Sequence, residues 1–418
     1  MDSLTQITLG AAMGEVVLGK KIGNRAMLWG AIGGTLPDFD VLANFFMDDM
    51  SALAFHRGIT HSFLFAFTTP FLFGWLTYKF YQSGIYKNQY YKTFAFLIWS
   101  LLLLGVGLGI NFIVYNIGGQ LNVSVLIGVL IVSGLIIFAL QRKYLAKPLA
   151  TVDASWKDWT LLYFWAIVTH PILDSFTTFG TQLFYPFSDY RVAFNNISVV
   201  DPIYTVPFII CLVIAGFRPK ESKTRALWTW AGIGISSLYM LFTVYHKSQV
   251  NTIFERTLAG KGLKYERYMT TPTILNNILW QAIAEGDTMY YHGMYSFYDE
   301  RAIMEPFTEL HKNHQLLAGH ENDRAIKILD WFSNGYYNVI ERDQGGLQLN
   351  DLRYGTTTGK FGNEKDYVFR FFLKEENGEM KAEQPSRAEE SKGRSFDTFF
   401  KRMWGLKDED YPAPAVQQ

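Results

Sequence analysis

Phe55-His56-Arg57-Gly58-Ile59-Thr60-His61-Ser62 sets two imidazoles, a guanidinium and two hydroxyls immediately ahead of a long apolar run that begins at Phe63. Ionisable side chains at the mouth of a membrane helix are costly to hold there, so they mark a site, and a metal site is the first reading. His56 and His61 are five residues apart, roughly 140° around an ideal helix, and cannot share a face. Gly58 permits a turn between them, which leaves His56 in the approach loop and His61 at the helix start. For this stretch alone, a pair of interfacial histidines bonded to backbone is an equally open reading.

Two further polar islands interrupt apolar sequence in the same way: Pro37-Asp38-Phe39-Asp40 and Thr169-His170-Pro171-Ile172-Leu173-Asp174. Together the three offer His56, His61, His170, Asp38, Asp40 and Asp174, a set that suits zinc, manganese or iron better than calcium or magnesium. His170 and Asp174 are four apart and share a helical face. Pro171 disfavours helix at His170, so a broken segment is expected there. An ionised Asp174 buried in that segment needs a cation, from a metal or from Arg57 or Arg191. Asp38 and Asp40 after Pro37 also fit a plain helix-ending turn. Gln6 and Glu15 are weaker candidates of the same kind. Arg57 and Arg191 suit an anionic substrate group held by a bidentate contact. His246, His292, His311, His314 and His320 read as ordinary histidines.

Working outward, the 418 residues exceed one ordinary core, and two domains are expected: a polytopic membrane domain over 1–245 and a soluble α+β domain over 246–418. Residues 4–19 and 26–36 are short Gly- and Ala-rich helices that suit close packing. Longer apolar segments lie at 63–78, 94–115, 121–140, 160–180, 199–217 and 226–245. The Lys- and Arg-rich loops alternate with uncharged or mixed ones, and the positive-inside rule then brings all three polar islands to the outer face. It also sets the soluble domain outside, on the periplasmic side. In that domain, 286–297, 336–341, 347–353 and 367–373 show the alternation of an antiparallel sheet, with helices expected at 302–317 and 322–332. Residues 375–394 read as a flexible arm and 412–418 as a loose end. The formal charge of zero gives no nucleic-acid footprint. The lone Cys211 excludes an internal disulfide and reads as a packing residue. Met1-Asp2-Ser3 has no basic flank and Glu15 falls where an apolar signal core would be, so no cleaved signal is expected.

The islands at 37–40, 56–62 and 170–174, with Thr177-Thr178-Phe179-Gly180, resemble the bacterial inner-membrane metal-dependent hydrolases of the YdjM-like group over about the first half of the chain. That group is distantly similar to zinc-dependent phospholipase C, which implies a helical metal centre and phosphoester chemistry. The resemblance implies a metal-binding set of Asp38, Asp40, His56, His61, His170 and Asp174. Many members carry histidine where this chain has Gln6, so one coordination position is either lost or filled by Glu15 or water. The expectation is a multi-pass hydrolase of the inner membrane, in contact with membrane lipids and acting on an amphiphilic ester. Asp38 or Asp40 would serve as base and Arg57 or Arg191 would steady the substrate. A non-catalytic membrane protein with a structural metal cluster and a partner-binding domain is the alternative, and a transporter is disfavoured by the one-sided site and the absence of repeats.

Overall fold

The structure is a computed structural model that describes residues 1–118, 123–146, 149–343, 345–356, 359–385 and 397–407. Helices α1 (Ser3–Ile22) and α2 (Asn24–Thr35) form a hairpin turned at Gly23, where φ is 64°. Each carries glycines four apart, Gly10 and Gly14 on α1, Gly30 and Gly34 on α2. A Cβ on Gly10 would lie 2.4 Å from the Gly30 carbonyl oxygen, and one on Gly34 would lie 2.7 Å from that of Gln6. The two backbones therefore touch, the packing that small-residue pairs allow. Gln6 and the Gly34 carbonyl are brought to the same end of the hairpin.

A 3-10 segment (Pro37–Phe45), α3 (Asp49–Phe55), a 3-10 turn (Ile59–His61) and α4 (Phe63–Gln82) follow. Helices α5 (Gln89–Gly118), α6 (Val123–Leu140), α7 (Trp156–Asp174), α8 (Pro202–Gly216) and α9 (Lys223–Gly260) complete the helical half. All six expected apolar segments fall mainly on helices, although 121–122 lie outside the described residues and the segment at 160–180 leaves its helix after Asp174. Among the described residues, Gln89–Gly109 and Lys223–Gly260 are long and apolar enough to cross a membrane. A third span exists if the bent pair Asp49–His61 and Phe63–Gln82 counts as one.

The chain divides into two compact units, residues 71–161 and the remainder. In the first, α5 and α6 meet where a Cβ on Gly107 would lie 2.4 Å from Val129, and their large apolar side chains, among them Leu101 and Leu135, face outward. In the second, the expected division at 245/246 falls inside a continuous helix. The cause is burial: Val250, Ile253, Phe254 and Leu258 of α9 share a core with Trp280, Ala282, Ala284 and Tyr295. Cys211 of α8 is buried against α9, where a Cβ on Gly232 would lie 2.9 Å from it.

The C-terminal half holds two four-stranded antiparallel sheets rather than one. Strands β1 (Arg267–Pro272), β2 (Leu279–Glu285), β3 (Met289–Ser296) and β4 (Phe307–His311) run in sequence order. So do β5 (Tyr337–Glu341), β6 (Leu347–Thr356), β7 (Tyr367–Glu376) and β8 (Glu379–Glu383). Asn377-Gly378, both with positive φ, close the last hairpin. The helix expected at 302–317 is instead β4 followed by a short 3-10 turn (His314–Leu317): Pro306 cannot sustain a helix, and residues 307–311 pair with β3. The other expected helix is α10 (Arg324–Ser333), and a last helix, α11, spans Asp397–Met403. Strands take the start of the expected arm, while its remainder at 386–394 and the end at 412–418 lie outside the described residues. Met50 and Leu53 of α3, with Phe179, join the core formed by α10 and the second sheet. The sheets thereby grip the segments that carry the polar islands.

Candidate metal centre

Pro37 opens the 3-10 segment that presents Asp38 and Asp40. The turn into His61 is made by Arg57, a non-glycine residue at φ 58°, and Gly58 serves instead by close approach, since a Cβ there would lie 2.9 Å from the Phe55 carbonyl oxygen. A left-handed arginine costs about 1–3 kcal/mol and persists only when its surroundings fix it. Here they do: the Arg57 amide donates to Asp40 Oδ2 at 2.8 Å, and the Gln182 amide donates to the Arg57 carbonyl at 3.1 Å. Helix α7 is not broken at Pro171. It runs on to Asp174 because its flanks are packed, Ala166 against Gly33 of α2 and Leu173 in one core with Ala12.

These elements bring four of the six expected ligands to one point. His61, His170 and Asp174 are fully buried and Asp38 partly so, with one donor atom of each within 4.8 Å of the others. His61 Nε2 lies 3.1 Å from His170 Nε2, 3.5 Å from Asp38 Oδ1 and 3.4 Å from Asp174 Oδ2. His170 Nε2 lies 3.4 Å from Asp38 Oδ1 and 3.5 Å from Asp174 Oδ2. Donors about 2.05 Å from a zinc-like ion define a tetrahedron with edges of about 3.4 Å. Five of its six edges are already set.

The outer ring nitrogens fix which lone pairs face inward. His170 Nδ1 is 2.6 Å from the Gly34 carbonyl oxygen, which can only accept, so Nδ1 carries the hydrogen and Nε2 presents a lone pair. His61 Nδ1 faces Asp40 Oδ2 at 3.3 Å, the carboxylate–histidine arrangement that orients metal ligands. Asp174 Oδ1 accepts from Gln6 Nε2 at 2.7 Å and from the Met1 amino group, while its buried Oδ2 accepts no hydrogen bond among the described residues and has only the Arg57 guanidinium beside it. Two imidazole lone pairs and two carboxylate oxygens thus converge with no donor among them, an arrangement that a divalent cation satisfies.

Asp40 and His56 stand outside the quartet. Asp40 Oδ1 is 2.9 Å from His56 Nδ1, and its Oδ2 takes the Arg57 amide and the Thr60 hydroxyl beside His61. Glu15 is unavailable to the centre, because it forms a buried bidentate pair with Arg225, both contacts at 2.6 Å. Gln6, a weaker candidate from the sequence, is positioned not as a ligand but to hold Asp174 in place, and the Gly34 carbonyl is the participant that residue type did not reveal. Arg57 Nε stands 3.2 Å from Asp174 Oδ2, whereas Arg191 bonds to the Phe332 and Phe179 carbonyls.

The sequence model of a family described as YdjM inner membrane protein matches residues 1–114 and 123–250, more than half of the chain and every residue of this centre. The chain belongs to the YdjM family. The inner membrane protein YbcI of Escherichia coli (strain K12) is 32% identical over 96 residues, which cover 23% of this chain and 53% of YbcI, so the match spans about half of that relative. No solved structure matches. Like its family, the chain is an inner membrane protein, and its His/Asp quartet can hold a metal ion. The two sheets lie beyond the residues that the family covers.

Proposed function

We propose that this member of the YdjM family is a multi-pass, metal-dependent hydrolase of phosphoesters or other esters borne by lipid-like molecules, with its C-terminal sheets on the periplasmic side. The observation that carries the reading is the set of five 3.1–3.5 Å edges among His61, His170, Asp38 and Asp174. These four residues would hold the ion, zinc by its fit, with manganese or iron next. A divalent ion held there supplies Lewis acidity and a water of lowered pKa.

The chain's own residues divide the remaining work. Asp38 is the one ligand with a solvent-facing edge, its side chain 17% exposed, so substrate approaches from its side. Asp40 has both oxygens committed and positions His56 and His61 instead of acting as base. The proton-transfer role then falls to His56, whose half-buried ring is oriented by Asp40 and whose centroid lies 6.0 Å from that of His61. Arg57, beside Asp174, steadies the anionic group. Around the mouth, the 3-10 segment that carries the aspartates turns Phe39, Val41, Leu42, Phe45 and Phe46 outward, which supports an amphiphile as substrate.

A second reading rests on the donor count: four protein ligands can close a tetrahedron, and closed sites are structural. The two readings separate in one set of measurements. Elemental analysis of the purified protein is expected to give one metal per chain, lost in His61→Ala together with hydrolysis in a screen of phosphoesters and lipids. Loss of metal with hydrolysis intact would remove the mechanism, and full metal with no substrate turned over would favour the structural role.

A further inference from the structure

Thr177-Thr178-Phe179, the turn that follows α7, gathers three arginines from three parts of the chain. Arg57 Nη1 donates to the Thr177 hydroxyl at 3.1 Å, Arg353 of β6 donates to the Thr178 carbonyl at 3.4 Å, and Arg191 donates to the Phe179 carbonyl. The guanidinium carbons of Arg57 and Arg191 lie 4.8 and 4.4 Å from the centre of the Phe179 ring. Those of Arg191 and Arg353 lie 4.7 and 5.1 Å from that of Phe332.

The countercharges are too few. Arg353 has Asp351 at 2.6 Å and Arg57 has Asp174 at 3.2 Å, but Arg191 has no carboxylate in ion-pair reach among the described residues. Its Nε is buried and bonds to nothing among them, as does the Tyr354 hydroxyl, which lies within electrostatic reach of all three guanidiniums. Aromatic faces offset part of the charge on Arg191 but offer no lone pair to its Nε. Burial, and after it Arg353, pushes Arg191 down to about 9, so it remains a cation at neutral pH. A half-buried cation whose desolvated Nε has no counterion is destabilised unless something else neutralises it.

We infer that Arg57, Arg191 and Arg353, with the Tyr354 hydroxyl, form a receptor for a phosphate-class anion beside the metal centre, and that the second sheet completes it. Planar forked donors suit tetrahedral oxyanions. Trp331, the ring over which Arg191 sits at 5.1 Å, also forms part of the wall of an open groove of about 830 Å³ with Phe46, Phe55 and Lys327. The inference deepens the hydrolase reading by naming the group recognised, yet its test needs no turnover.

The test uses the full chain in detergent after chelator treatment, titrated with inorganic phosphate by calorimetry and thermal unfolding. Saturable binding of one phosphate is expected, at least tenfold weaker in Arg191→Met and severalfold weaker in Tyr354→Phe. Without phosphate, Arg191→Met is expected to melt no lower than the parent protein, a result that a merely structural arginine would not give. Phosphatidic acid micelles, against phosphatidylcholine micelles, form the second arm: binding of both phosphate and phosphatidic acid assigns a lipid headgroup, and binding of phosphate alone assigns a soluble anion. No saturable binding of either probe to the folded protein, or undiminished binding by Arg191→Met, would overturn the inference. Phosphate binding by a protein that never holds metal would leave this receptor standing and remove the hydrolase.

Discussion

The two halves of the molecule turn different kinds of side chain outward. The helical half keeps Glu15, Arg225, His61, His170 and Asp174 inside, and turns Phe45, Phe46, Leu101 and Leu135 outward. The sheet half buries Trp280, Tyr290, Phe332 and Phe371 and instead turns charges such as Lys374, Lys381 and Glu376 into solvent. One sequence thus carries two solvents. Where lipid surrounds the chain, burying apolar area gains little, and helices are held by backbone contact, as between Gly10 and Gly30, and by polar networks. Where water surrounds it, burial of aromatic and aliphatic area provides the drive.

The contrast breaks most sharply at Glu15 and Arg225, whose side chains are 6% and 3% exposed. Glu15→Gln strands the guanidinium, and a loss of about 3–5 kcal/mol in stability is expected, whereas joint replacement by Leu and Met is expected to be near neutral. Detergent unfolding of the single and double variants measures both. A single-variant loss below about 1 kcal/mol would mean that water reaches the pair. Next in size is Asp40→Asn, which leaves all four donors in place but withdraws the carboxylate behind His61. Its expected cost is roughly 10–100-fold in metal affinity, read by competition with a chelator.

The helical half was largely legible in the sequence because ionisable residues in apolar runs are rare and each needs a reason. Asp38, His61, His170 and Asp174 were each visible on that ground. The split between the quartet and the supporting Asp40 and His56 was not visible, since it depends on which atom of each ring faces a carbonyl or a carboxylate. Pro171 misled because a proline's local cost is outweighed when both flanks of its helix are packed. In the sheets, β1, β2 and β4 carry too little alternation, a β2 strand buried on both faces reading as a plain apolar run. Arg353 had no signal at all. It is one arginine in a solvated domain until β6 carries it to Thr178.

The sheet half should answer to pH where the helical half answers to metal. His292 of β3 is buried among Ile283, Leu352 and Phe361, its Nε2 has no hydrogen-bond partner among the described residues, and burial pushes its pKa down to about 3. An imidazole whose pKa falls on folding binds its proton more readily in the unfolded chain. Its contribution is therefore intact above the unfolded value near 6.5 and is lost as pH drops from there toward 3. At pH 5 the expected loss is about 2 kcal/mol. Urea unfolding at pH 7 and pH 5 should show that difference between the parent protein and His292→Leu, and equal slopes in the two would mean that water or a donor reaches the ring.

The smallest expected effect uses the same chemistry as the largest. Asp48 and Arg324 are again a carboxylate and a guanidinium, 3.4 Å apart, but 58% and 62% exposed. Asp48 is held down to about 2 chiefly by the Ser51 hydroxyl and amide at the start of α3, and Arg324 adds less. Water and salt screen what remains, so Arg324→Ala is expected to change stability by no more than about 0.5 kcal/mol, and the change should fade as ionic strength rises. Measured beside Glu15→Gln under one set of conditions, the ratio of the two losses reports how differently the surroundings treat one type of ion pair. Losses of similar size would mean that Glu15 and Arg225 are as well solvated as the surface pair, and the lipid-facing account of the helical half would not hold.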